Sequence, residues 1–304
     1  AGANVFFSGD GRAAEDLGET DNAGALVCQK DNQVVTLVNR GDALRASLIR
    51  HTTGGGLDTN FSGDGRVDLS VPSSVTDALT GITLQNDRKI VVAGHSTFAD
   101  GTRQVVVARY LEAGVLDTTF DTDGVAVINA ANLEHGLTGA NAQAFASDVT
   151  VQTDGKIVVS GRVRRNAGGK DNGLVLRLNA DGTLDSGFAG NGVASVDTGT
   201  AESSSFAGVE MQPDGKIVLG GSRQNAGFDF QCLAVRLTAA GALDTSFDSD
   251  GMVFFDANTL EGGGHNEIDQ VMDVKLAPDG GILLAIQAET ASFNPQFFLA
   301  KLLR

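Results

Sequence analysis

The 304-residue sequence predicts an all-β fold made of five repeated sheets, and three observations predict it. A phenylalanine followed four residues later by a glycine occurs at Phe7 and Gly11, Phe61 and Gly65, Phe120 and Gly124, Phe188 and Gly192, and Phe247 and Gly251, in steps of 54, 59, 68 and 59 residues. A second motif keeps the same beat: QKDNQVV from Gln29, QNDRKIVVAG from Gln85, QTDGKIVVSG from Gln152, QPDGKIVLGG from Gln212 and APDGGILLA from Ala277. No apolar stripe of helical period and length interrupts them, while 40 glycines spread along the chain supply turns. Repeats of this length with about four strands each are blades of a β-propeller. A five-bladed β-propeller with about four antiparallel strands per blade is therefore expected.

The strands follow in order within each repeat. An alternating stretch such as DVTVQ runs into a Pro/Asp/Gly turn and forms the first strand, on the inside of the blade. The continuous apolar runs KIVVAG, KIVVSG and KIVLGG form the second, because a strand covered on both faces loses the alternation of a half-wet one. QVVVARYL, GLVLRL and CLAVRL form the third, followed by a glycine turn and the LDxxF approach to the next phenylalanine. RVDLSV, VAVINA, VASVD and MVFFD form the fourth. An open solenoid would need polar capping repeats, and neither end of this chain supplies one. The blades fall near 21–72, 73–130, 143–197, 203–256 and 265–304 in one domain, with residues 1–20 expected to complete the last.

That closure rests on spacing. An arginine precedes the LDxxF aspartate by eight residues in Arg50 and Asp58, Arg109 and Asp117, Arg177 and Asp185, and Arg236 and Asp244. The fifth repeat has Lys301 at this place and stops at Arg304, and the first residues of the chain resume the pattern in mid-blade. An N-terminal strand added to the last blade removes its open edge in cis; added to a neighbouring molecule it would build head-to-tail polymers. Exact repetition of the Arg/Asp pairs argues that they fix a turn once per blade.

The DGKIVVxG hairpin together with ARLxxxGxLDxxF resembles the delta-60 repeat family, large secreted bacterial proteins regarded as β-propellers. The resemblance covers most of the chain and implies an extracellular or cell-surface, bacterial setting. It implies no catalytic residue. Repeat 1 departs most, with DNQVVTLVN in place of DGKIVVAG.

Charge narrows the partners. With 38 acidic against 22 basic side chains the net charge is −16, which repels nucleic-acid phosphates and anionic membrane surfaces. No apolar run reaches the roughly 20 residues that span a bilayer. The opening AGANVFFSGDGR lacks the features of a signal peptide and an initiator methionine, which fits a processed, secreted protein.

The candidate sites divide into structural and functional readings. Asp117, Asp121 and Asp123, and again Asp244, Asp248 and Asp250, place hard oxygen ligands close together. Calcium would want six to eight oxygens, and an Asx turn before a glycine at positive φ accounts for all five loops, so no cofactor or metal is expected. Cys28 and Cys232 fall on blades that are not neighbours and are expected to be unpaired, buried and inert. His51, His95, His135 and His265 are expected in loops, without metal-ligand spacing. Function is expected in the segments that break the repeat: 95–104, 132–145, 162–172 and 258–270. One of them carries the only basic concentration, Arg162, Arg164, Arg165 and Lys170, which reads as a hairpin tip or as a contact for an acidic surface. The lead expectation is a non-enzymatic secreted module, structural or interacting with protein surfaces including copies of itself, with self-assembly into an extracellular polymer as its sharper form. The alternative is a lectin-like, glycan-binding propeller, against which one tyrosine and no tryptophan count. An enzyme at the central channel comes third, because no convergent acid, base and nucleophile can be read.

Overall fold

The structure is a computed structural model and describes residues 21–41, 45–130, 133, 142–164, 170–198, 203–224, 230–257, 269–289 and 295–302. Blade 1 comprises β1 (Asp21–Cys28), β2 (Val34–Arg40), β3 (Arg45–His51) and β4 (Arg66–Asp68). Blade 2 comprises β5 (Ser74–Leu84), β6 (Ile90–Phe98), β7 (Arg103–Tyr110) and β8 (Val125–Ile128). Blade 3 comprises β9 (Ala144–Val151), β10 (Ile157–Arg164), β11 (Asp171–Leu178) and β12 (Val193–Val196). Blade 4 comprises β13 (Ser204–Met211), β14 (Ile217–Gln224), β15 (Phe230–Leu237) and β16 (Met252–Phe255). Blade 5 contributes β17 (Asp269–Leu276), β18 (Ile282–Glu289) and β19 (Pro295–Leu302). Within each blade the strands pair antiparallel in sequence order. The molecule is a five-bladed β-propeller with essentially no helix. The expected closing strand, residues 1–20, lies outside the described residues, and with it the choice between closure in cis and in trans.

First strands touch first strands from blade to blade, β1 to β5, β5 to β9, β9 to β13 and β13 to β17, so these five line the central channel. The second and third strands carry the core. Val91, Ala93, Val105 and Val107 of blade 2 share one apolar cluster with Ile157, Val159, Leu174 and Leu176 of blade 3. Continuous apolar runs are needed because each sheet is covered on both faces by its neighbours.

Every inner strand carries one extra residue at the same place, Gly24, Thr80, Ser147, Ala207 or Met272, a β-bulge that bends it along the channel wall. In blades 2, 3 and 4 the residue facing the bulge is the last glycine of the hairpin motif. A Cβ on Gly94, Gly161 or Gly221 would stand 2.0, 1.9 or 2.0 Å from the carbonyl oxygen of Ala78, Phe145 or Ser205. The motif ends in glycine because backbone occupies that space.

The FxxxG turns clamp each blade to the next. Ser62, Asp121 and Ala189 donate their N–H to the carbonyls of Ala113, Asp181 and Ala240 in the following blade, each at 2.8 Å. The preceding phenylalanines, Phe61, Phe120 and Phe188, are fully buried. In two of these joints a glycine of the next blade, Gly114 or Gly241, lies against the ring so closely that a Cβ would come within 2.8 Å of it.

Antiparallel register gives the ring two unlike ends. At one end sit the hairpins after the first strands and the FxxxG turns, close to identical in successive blades. At the other end meet the starts of the first and third strands and the ends of the second, as Val163 opposite Ala144 and Arg164 opposite Asp171 show. The described residues at the margins of all four segments that break the repeat lie at this second end, called here the loop face.

Candidate functional site

The repeated arginine/aspartate pairs belong to the hairpin face. Arg50, Arg109, Arg177 and Arg236 place Nε at 2.8, 2.8, 2.7 and 2.7 Å from Oδ2 of Asp58, Asp117, Asp185 and Asp244. In three of the four blades a terminal nitrogen also donates across the joint, to the carbonyl of Glu112, Ala180 or Ala239 at 2.7, 2.5 and 2.6 Å. Each guanidinium lies over the phenylalanine of its own turn, 4.7 to 4.8 Å from the centroid. The hairpin lysines Lys89, Lys156 and Lys216 add a second cation 3.1 Å from Asp117, Asp185 and Asp244. In the departing first repeat Gln33 takes that place, donating to Asp58 at 2.8 Å. Burial works against the Asp117 carboxylate, but the Thr119 hydroxyl, Lys89 and Arg109 hold it well below the usual range. The Ser246 hydroxyl, then Lys216 and Arg236, do the same for Asp244. In the fifth blade Lys301 pairs with Asp279 at 2.5 Å.

The aspartate-rich turns are held by their own backbone. Asp123 and Asp250 accept the N–H of Val125 and Met252 at 2.9 Å, the following glycines Gly124 and Gly251 have φ of 98° and 89°, and Asp121 and Asp248 are themselves at positive φ. Among the described residues no three His, Cys, Asp or Glu side chains group closely enough to hold a metal ion.

The channel wall carries what repetition hides. Four residues before the hairpin motif the five inner strands place Ala25, Gly81, Asp148, Gly208 and Asp273. The glycines let backbone approach: a Cβ on Gly81 would stand 2.9 Å from Cα of Asp148, and one on Gly208 3.1 Å from Oδ1 of Asp273. Asp148 accepts N–H bonds from Val149 at 2.8 Å and, across the blade joint, from Val209 at 3.1 Å. Burial nevertheless pushes its pKa above the ordinary carboxylate value; these bonds and Lys275 oppose the shift, and the charge of Asp273 adds to it. Lys275 lies 2.8 Å from Glu210 and 3.3 Å from Asp273, and these carboxylates outweigh its partial desolvation and strengthen its charge. One carboxyl with a raised pKa thus neighbours two carboxyl groups that share a lysine. Environments that push neighbouring carboxyls apart in this way divide acid from base.

On the loop face, three of the repeat-breaking segments meet between blades 2 and 3. Phe145, the last residue of 132–145, lies under Arg162 at 4.2 Å and Arg103 at 5.2 Å. His95 meets the same ring edge-on, with centroids 4.9 Å apart. Burial, then the charges of Arg103 and Arg162, lower the His95 pKa to about 4, so the imidazole is neutral at pH 7. Its Nδ1 is buried with no hydrogen-bond partner. Arg162 and Arg164 share Asp171, at 3.2 and 3.3 Å. Arg165 lies outside the described residues, and Lys170 is half-buried just before β11.

Two recesses frame these clusters. The larger, about 370 Å³, lies on the hairpin face between blades 2 and 3, lined by Gln85, Asp87, Lys89, Arg109, Gln152 and Asp154, with its cations already committed to Asp117. The smaller, about 180 Å³, lies toward the loop face between blades 4 and 5 and offers Ser205, Ser222, Phe230 and Gln270.

Two expectations need correction. His51 and His95 lie in β3 and β6, because the strand runs on past the motif's last apolar residue; His135 and His265 lie outside the described residues. Cys232 is buried, its thiol pushed up to about 12 by burial and then by Asp269 and Asp256, but Cys28 is exposed. Its strand belongs to the channel wall, where the neighbouring Leu26 is also 59% exposed.

Comparison with known proteins sets the fold in context. A family model described as "Domain of unknown function (DUF5122) beta-propeller" matches residues 85–120, 152–188 and 212–247, the stretch from hairpin to FxxxG phenylalanine in blades 2, 3 and 4. No curated protein matches the sequence. Among solved structures, a polysaccharide lyase of family PL25, an ulvan lyase, is similar at TM-score 0.58 and 10% identity, over 91% of this chain and 64% of that one. The α-L-arabinanase of Penicillium chrysogenum complexed with arabinobiose is similar at TM-score 0.54 and 9% identity, over 90% and 79%. A protein of unknown function from Dyadobacter fermentans is similar at TM-score 0.52 and 14% identity, over 93% and 80%. The expectation of a non-enzymatic structural module, and with it the answer that the chain is no enzyme, is overturned by this comparison. The lyase and the arabinanase are carbohydrate-processing enzymes on the same ring, and a ring without a readable catalytic motif is therefore no argument against catalysis.

Proposed function

We propose that the chain is a carbohydrate-processing β-propeller, in which a glycan enters from the loop face and is acted on at the central channel by the inner-strand carboxylates. One observation carries the reading: on adjoining inner strands Asp148, whose pKa burial raises, stands beside Asp273 and Glu210, which share Lys275 at 3.3 and 2.8 Å. Cleavage of a glycosidic bond needs one carboxylic acid to protonate the leaving oxygen and one carboxylate on the other side of the sugar. In this assignment Asp148 is the acid and Asp273 the carboxylate. Lys275 lies between Asp273 and Glu210 and pairs with both. The sugar-binding alternative weighed from the sequence is contained in this reading, since binding precedes cleavage. The shortage of tyrosine and tryptophan is met by Phe145 and Phe230, both partly exposed toward the loop face. The motif likeness to delta-60 repeat proteins supports an extracellular or surface setting, where polysaccharides are encountered.

The test is turnover. Incubation with arabinan, sialylated glycans, ulvan, polygalacturonate and sulfated galactan, followed by measurement of new reducing or unsaturated ends, is expected to show cleavage of at least one polymer. Absence of new ends on every polymer would overturn the proposal.

A further inference from the structure

We infer that the glycan is anionic, and that a carboxylate or sulfate on it docks between Arg103 and Arg162 against Phe145 and His95 on the loop face of blades 2 and 3. The inference rests on the proposed action on carbohydrate and names the class of substrate.

Placement makes the case. In a chain of net charge −16, cations gathered on one edge of one joint stand out against the surrounding field. Arg103 comes from segment 95–104, Phe145 from 132–145 and Arg162 from 162–172, so three separate departures from the repeat converge on one ring. On the hairpin face every arginine over a phenylalanine has a buried aspartate; over Phe145 only Arg162 has a carboxylate, Asp171, and it shares that with Arg164. Among the described residues Arg103 makes no ion pair and is held by its contact with the ring. Stacking on an aromatic face fixes the plane of a guanidinium and leaves its N–H edge for a planar or tetrahedral anion. Arg162 is 43% exposed, so it reaches solvent even with one terminal nitrogen on Asp171. The neutral imidazole of His95 packs edge-on against the same ring and adds no third charge beside the two guanidiniums.

A titration of the whole protein with an oligogalacturonide, its methyl ester and an oligomer of sulfated galactan, followed by calorimetry, tests the inference. The oligogalacturonide or the sulfated oligomer is expected to bind at least about tenfold more tightly than the uncharged ester, the factor that one charge-assisted hydrogen bond supplies. Tighter binding of the first alone assigns a carboxylate, and of the second alone a sulfate. Arg103→Gln and Arg162→Gln, checked for unchanged thermal unfolding, are each expected to remove most of that preference while leaving ester binding as it was, and added salt is expected to weaken the anionic ligand selectively. Binding of both anionic oligomers no tighter than that of the ester, or full preference in Arg103→Gln, overturns the inference while leaving carbohydrate processing intact. Cleavage of neutral arabinan without binding of either anionic oligomer does the same. Failure of every glycan, charged or neutral, to bind or be cut removes both.

Discussion

Replacing Arg109 by alanine is expected to destabilise the ring by about 3 kcal/mol, because breaking a buried ion pair from one side leaves the other side unanswered. The residue is 5% exposed and makes three polar contacts: Asp117 at 2.8 Å, the Ala180 carbonyl of blade 3 at 2.5 Å and the Thr119 hydroxyl at 3.1 Å. Lys89 remains 3.1 Å from Asp117 after the change, which keeps the loss at the low end of the range for such pairs. Arg88 supplies the comparison. It pairs with Glu112 at 3.0 Å, but the two side chains are 47% and 40% exposed, and Arg88→Ala is expected to cost under about 1 kcal/mol. Denaturant unfolding of both variants, with slopes matching the parent, measures the difference. Equal losses would refute the reasoning that the arginine clamps one blade to the next.

Two further predictions follow from single groups. The His95 pKa is lowered to about 4 from 6.5, so the unfolded chain takes up the proton first as pH falls; the stabilisation is complete above about pH 6.5 and is lost toward pH 4, about 3 kcal/mol in all. His95→Gln is expected to flatten stability between those values, read by denaturant midpoints across pH, and an unchanged slope would count against burial beside Arg103 and Arg162. A thiol reagent applied to the native protein is expected to modify Cys28 quickly and Cys232 only on unfolding; one equivalent before denaturation and two after is the expected count, and two at once would contradict the burial of Cys232.

The repeat made the fold legible, since the FxxxG beat and the DGK hairpin each have one physical cause that recurs: a turn clamped to the next blade, and a glycine facing a bulge. The candidate site is illegible by the same logic. Asp148 and Asp273 occupy a position that is Ala25, Gly81 and Gly208 elsewhere, so a search for what repeats passes over them. Aligning the inner strands and asking where the repeat is broken by a charge would have found both. The repeat-breaking segments did point to the loop face, yet spacing could not show that His95, Arg103, Phe145 and Arg162 share one joint, because that depends on how far each blade turns toward the next. His95 was further concealed by a strand that continues through polar residues.

The central claim is that inner-strand carboxylates act on a glycan, and the rate of cleavage by Asp148→Asn and Asp273→Asn tests it most directly. With unfolding unchanged in the more exposed Asp273→Asn, each variant is expected to lose a factor of about 10² or more in turnover on whichever polymer the parent cleaves, the contribution of a positioned acid or base. Parent-like turnover in both variants would contradict the account.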